Sequence, residues 1–255
     1  MLSLGCSLAT AAEPTQVDKT ALDSAFTALK DLQVGQDIKV LQPIDDAVAA
    51  AHEDSALRAD LEKQLSALLP SDASRMAKDY ACRMLRIIGT ADSVPALAAL
   101  LTDKDNSHMA RFALERMSAP EAAKALRDAL PKVGGALKVG VIGSLGSRRD
   151  AASVPALTEL LSDNDMAIAR AAACALGDIG SADSAKVLLD AAKKSPEDAK
   201  PVIADAALRC AERLLADGQK PAALRVYGAL SGEDQPKQVR LAAKRGMLAA
   251  AQKKD

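Results

Sequence analysis

The chain has 255 residues, 49% hydrophobic but only 2% aromatic, with 33 Lys and Arg against 34 Asp and Glu for a formal net charge of -1. That balance excludes the basic excess of a nucleic-acid-binding domain, and after residue 20 no uninterrupted apolar, charge-poor run is long enough for a membrane span. A core of Ala, Leu, Val, Ile and Met favours many short, closely spaced helices, each pair buried against its neighbours, over one large core.

In chain order, "LSLGCSLATAAEP" is an apolar run ending in small residues, with Ala9-Thr10-Ala11 resembling a cleavage site and no Lys or Arg before Lys19. Residues 1–12 are therefore expected to be a truncated signal peptide, which implies a periplasmic or secreted protein, with a cytoplasmic one as the alternative. Leu4-Gly5-Cys6 lacks the preceding apolar segment of a lipoprotein signal. Two helices of weaker period, Asp18 to Leu32 and Ile44 to His52, are separated by "VGQDIKVLQP" and form expected N-terminal capping helices over residues 15–54.

From residue 55 to 252 the pattern is repetitive. "VPALAALLTDKD" begins at Val94 and "VPALTELLSDND" at Val154; "IGTADS" begins at Ile88 and "IGSADS" at Ile179. The two offsets share a divisor of roughly 30 residues, the size of a two-helix repeat. Helix pairs are expected at 55–69 with 72–88, 92–102 with 106–117, 119–130 with 134–145, 151–162 with 165–179, 182–194 with 198–216, and 218–230 with 235–252. Val94, Leu97, Leu100 and Leu101 share one helix face, and Val154, Leu157, Leu160 and Leu161 copy them. Pro95 and Pro155 fall in the first turn, where the missing N–H costs nothing. Asp105 and Asp165, the second of each aspartate pair, are expected N-caps or first-turn anions of the next helix, and Gly89 and Gly180 expected left-handed C-caps. Gly140 and Gly143, inside the helix at 134–145, are expected to allow close helix contact.

The segment "SDNDMAIARAAACALGDIGSADSAKVLL" resembles the HEAT repeat and its bacterial relatives, with Ala172, Ala173, Ala175, Leu176, Gly177, Ile179 and Gly180 matching the family helix. The resemblance implies an all-α, right-handed α-α superhelix of about six helix pairs plus the N-terminal capping helices. It departs at the arginine: the family's basic position falls on Ala169, with Arg170 one residue later, and on Ala110, with Arg111 one later. The family's ladder of Asp-to-Arg bonds between repeats is therefore not carried over. Over residues 88–180 the chain also looks like a subgroup of bacterial HEAT-like proteins often exported or fused to haem-containing dehydrogenase modules. No Cys-x-x-Cys-His occurs, so the chain itself does not attach a c-type haem.

Catalytic chemistry finds no constellation. His52-Glu53 is a lone pair, where HEAT-like iron hydroxylases use several, and Cys82, Cys174 and Cys210 read as buried free thiols on second helices. "KVGGALKVG" lacks the Gly-Lys-Ser/Thr ending of a phosphate loop. No cofactor and no enzyme activity are expected. What recurs is a ridge of cations on second helices, among them Arg83, Arg111, Lys138, Arg170, Arg209 and Lys244. If those helices line the concave face, the ridge presents a groove to an acidic protein surface or segment. Arg148 and Arg149, in the loop "GSRRDAAS", are read as outward-facing second contacts, with Asp150 capping the next helix. The functional expectation is a non-enzymatic protein-binding scaffold within a larger exported assembly. The alternatives are a lyase-like HEAT-repeat enzyme acting on a protein-bound chromophore, or a pure structural spacer.

Overall fold

The computed structural model describes residues 17–252; the leader reading for residues 1–12, with Cys6, lies outside them. Among the described residues there are fourteen α-helices and no strand. The first pair is α1 (Lys19–Lys30) and α2 (Gln42–Ala50). Six further pairs follow: α3 (Ser55–Leu68) with α4 (Arg75–Ile88), α5 (Val94–Ala99) with α6 (Ser107–Leu114), α7 (Pro120–Ala129) with α8 (Gly135–Ser147), α9 (Val154–Leu160) with α10 (Met166–Ile179), α11 (Ala182–Lys194) with α12 (Lys200–Ala216), and α13 (Lys220–Leu230) with α14 (Lys237–Gln252). From α4 onward each second helix packs on the next, through α6, α8, α10 and α12 to α14, which makes the molecule a helical solenoid.

Local chemistry sets the boundaries. Asp18, Asp54, Ser74, Asp165 and Ser181 accept from first-turn amides of α1, α3, α4, α10 and α11. Pro95 and Pro155 occupy the first turn of α5 and α9. Each of these helices follows a 3-10 turn, Ala91–Ser93 or Ala151–Ser153, whose buried serine donates back to the carbonyl of Thr90 or Asp150. Glu62 on α3 is a buried carboxylate that accepts from the Thr90 amide and hydroxyl and from the Ser93 amide, tying one repeat to the start of the next.

Four local expectations are corrected. Asp105 caps nothing: Asp103 turns the chain instead, accepting from the Asp105 and Asn106 amides. Gly89 is not left-handed, with φ -61° and ψ 144°; it is glycine because a Cβ would lie 2.4 Å from the Leu85 carbonyl oxygen and 3.1 Å from Met117 Cε. Gly180 does take the left-handed conformation, with φ 63°. Gly143 faces open space, unlike Gly140, whose missing Cβ makes room for the Arg111 guanidinium. Asp150 makes no cap hydrogen bond and instead accepts from Arg127 Nη1 at 2.6 Å.

The tightest seam runs through α8, α10 and α12. A Cβ at Gly146 would sit 2.9 Å from Ala175 Cα, and one at Gly177 would sit 2.7 Å from the Ala206 carbonyl oxygen, so these helices meet backbone to backbone. Ile168, Ala172, Ala175, Leu176 and Ile179 supply the buried stripe of α10.

Candidate protein-binding surfaces

Most of the arginines expected to reach a partner are spent on the solenoid. Arg148 donates to the carbonyls of Leu114 and Met117 at the end of α6, and Arg149 to the carbonyl of Ile179 at the end of α10. Arg58, on α3, does the same for Ile88 at 2.7 Å at the end of α4. A guanidinium there meets unpaired carbonyls and the negative end of the helix dipole, which explains why the chain places cations at this position. Arg149 also pairs with Asp217, whose carboxylate hydrogen bond raises the arginine's pKa. Arg148 is therefore drawn back onto the solenoid rather than outward, and Arg149, though exposed, is held by Asp217.

The same holds for two members of the ridge. Arg111 is half-buried and donates to the Gly140 carbonyl at 3.1 Å; burial lowers its pKa, with Glu115 opposing. Arg209 bridges Asp178 of α10 and Asp205 of its own helix, at 3.3 and 3.1 Å. The sign of charge alternates at that point, so the ridge is not one continuous positive groove. Cross-repeat bonds nevertheless exist, carried by Arg111, Arg148, Arg149 and Arg209, while Arg58 ties together the two helices of its own pair. Of the remaining candidates, Arg83 is exposed with its guanidinium 5.9 Å from the Tyr80 ring centroid, Lys138 is half-buried, and Arg170 and Lys244 are exposed.

Arg170 lines a concavity. A groove of about 650 Å³ opens between α9, α10, α11 and the start of α12. Leu161, Ala173, Val187, Val202 and Ile203 are among its apolar lining, and Arg170, Lys194, Asp163 and Asp190 are among its charges. Sequence reasoning found Arg170 and missed the groove, because the groove opens on the first-helix side, where α9 and α11 barely touch although α10 and α12 meet tightly. Leu101 is fully buried, but its counterpart Leu161 is half-buried and lines the opening. A smaller cleft, about 320 Å³, includes Arg149 and Asp217, which are joined by their ion pair.

Among the described residues no three His, Cys, Asp or Glu side chains are grouped to hold a metal. Cys82 and Cys210 are buried, and burial pushes each thiol up to about 12. No described helix is long and apolar enough to cross a membrane.

Paired helices stacked by repeat, with side-chain bonds joining several neighbouring repeats, define a helical-repeat protein of the α-solenoid class. A family model described as HEAT repeats matches residues 135–208. No curated protein matches it. Similar solved structures include one engineered protein at 22% identity, TM-score 0.38, covering 75% of this chain and 96% of that one. A second engineered protein has 19% identity and TM-score 0.41, covering 91% and 68%. Human deoxyhypusine hydroxylase, in complex with glycerol, has 16% identity and TM-score 0.37, covering 92% and 97%.

Proposed function

We propose that the chain is a non-enzymatic scaffold that binds another protein through the groove between α9–α10 and α11–α12, as one module of a larger exported assembly. The observation that carries this reading is an apolar residue left partly open at a position the repeat buries elsewhere: Leu161 is half-buried where Leu101 is sealed. Leaving such a surface open costs burial free energy of about 25 cal/mol per Å², and a bound segment recovers it. Charges of both signs line the groove, which suits a partner segment with an apolar centre flanked by mixed charges. Arg170 and Lys194 offer the carboxylate contacts, and Met166, 46% exposed, offers an adaptable apolar one.

The test is affinity capture from native extract with two baits, the wild-type chain and a variant with the groove filled by Ala191→Arg and Val202→Arg. Proteins held by the first bait and lost by the second support the reading. Identical sets on both baits, with the variant still folded, count against it.

A further inference from the structure

We propose that the two ends of the described array are complementary and that copies of this chain associate head to tail, α2 of one copy lying on α14 of the next. This goes beyond the groove and uses neither Arg170 nor α9–α12.

The first observation is where exposed apolar side chains gather. Among the described residues, six of the eight large hydrophobics left exposed lie in two places: Val34, Ile38 and Val40 beside α2, and Leu241, Met247 and Leu248 on α14. On α14 the buried positions Val239, Ala243 and Ala250 fall on one side, and Leu241, Lys244, Arg245 and Leu248 form the opposite stripe, at helical spacing. A scaffold end that met only water would be expected to carry a polar outer face; Leu241 and Leu248 are 58% and 66% exposed.

The second observation is charge. Residues 18–54 hold eight Asp or Glu against three Lys, whereas residues 220–252 hold six Lys or Arg against two acids. The exposed stripe of α2 is Gln42, Asp45, Asp46 and Ala49, the same spacing as on α14 with acids where α14 has cations. Among the described residues no ion pair engages Lys244 or Arg245. Asp45 accepts one hydrogen bond from Tyr80 Oη and Asp46 one from Gln42, which orients both carboxylates without neutralising them.

The third is register. Within the chain α2 packs on α4, and α12 on α14, so a second copy that continued the array would set its α2 on α14. The end face is two helices wide and α14 has 16 residues, giving about 24 Å by about 20 Å, or roughly 480 Å² per copy. That is below the ~800 Å² per partner of a stable interface. The association is therefore weak, concentration-dependent and, being heterologous, open-ended unless the copies close a ring.

Sedimentation equilibrium of the full chain, from about 5 to 500 µM, tests this at low and high salt. The weight-average mass rises above 26.4 kDa with concentration at low salt, and the rise shrinks at high salt as the exposed charges are screened. Leu248→Glu and Asp46→Lys each block one end, so each variant alone stays monomeric. An equimolar mixture restores one good interface and stops at the dimer. Lys244→Glu and Ile38→Lys serve as second blocking variants if either fold is impaired. A monomer at every concentration in low salt overturns the proposal; so does self-association that survives a single-end variant, or a mixture that stays monomeric.

Discussion

Two glycines that look alike in the sequence should answer the same substitution with opposite sign. Gly177 in α10 and Gly143 in α8 both sit inside helices, so replacement by Ala brings each the same propensity gain of about 1 kcal/mol. At Gly143 nothing lies within 4 Å of the added methyl, and the gain stands alone. At Gly177 the methyl lies 2.7 Å from the Ala206 carbonyl oxygen and 3.2 Å from its Cα. Neither atom belongs to a flexible side chain, so α10 and α12 must separate by several tenths of an ångström along a packed seam. Overpacking of this kind costs about 1–3 kcal/mol, and the opened gap forfeits dispersion on both sides. Because the propensity term is common, the difference in urea unfolding free energy between the variants reports the seam alone. The expected difference is about 1–3 kcal/mol, with Gly143→Ala the more stable. Two variants within about 0.5 kcal/mol of each other would refute backbone contact between α10 and α12.

Leu176→Ala removes a fully buried side chain from the same seam and is expected to lower unfolding free energy by about 2–5 kcal/mol in denaturant titration. Glu62→Ala leaves the amides of Thr90 and Ser93 without their acceptor and is expected to cost about 1–3 kcal/mol, against less than about 0.5 kcal/mol for Glu159→Ala on the exposed face of α9. Cys82 and Cys210 should resist alkylation at pH 8 until the chain unfolds, whereas half-buried Cys174 reacts before either of them, as mass spectrometry of modified peptides would read. Their thiols rise from 9.0 to about 12 on folding, so the unfolded chain loses these protons first. Stability contributed by the neutral thiols is complete below pH 9 and falls as pH climbs toward 12, by about 1.4 kcal/mol per thiol per pH unit.

The fold was legible because a repeat writes its helices more than once. The apolar faces at Val94 and Val154, the first-turn prolines and Gly180 each had a local physical cause, and all seven helix pairs occur close to the expected positions. What misled was chemistry whose outcome depends on a neighbour one repeat away. Nothing local distinguishes an arginine aimed at solvent from one aimed at a helix end. The spacing held the clue, since Arg58 and Arg149 each precede an Ile-Gly pair, Ile88-Gly89 and Ile179-Gly180, by the same 30 residues. That Asp103 turns the chain before α6 while Asp105 caps nothing turned on a choice between two turns of similar chemistry. The groove was beyond reach of pattern, because Leu161 and Leu101 occupy equivalent positions and differ only in how the next repeat closes over them.

Site-specific photocrosslinking tests most directly whether the groove at α9–α12 binds protein. A benzophenone side chain placed at Met166 lies on the groove, and one at Ala156 lies on the exposed face of α9 outside its lining. In native extract the account predicts a discrete crosslinked polypeptide from position 166, absent from position 156 and lost when Arg170→Glu and Val202→Arg are added. No adduct at position 166, or the same adducts from both positions, would contradict it.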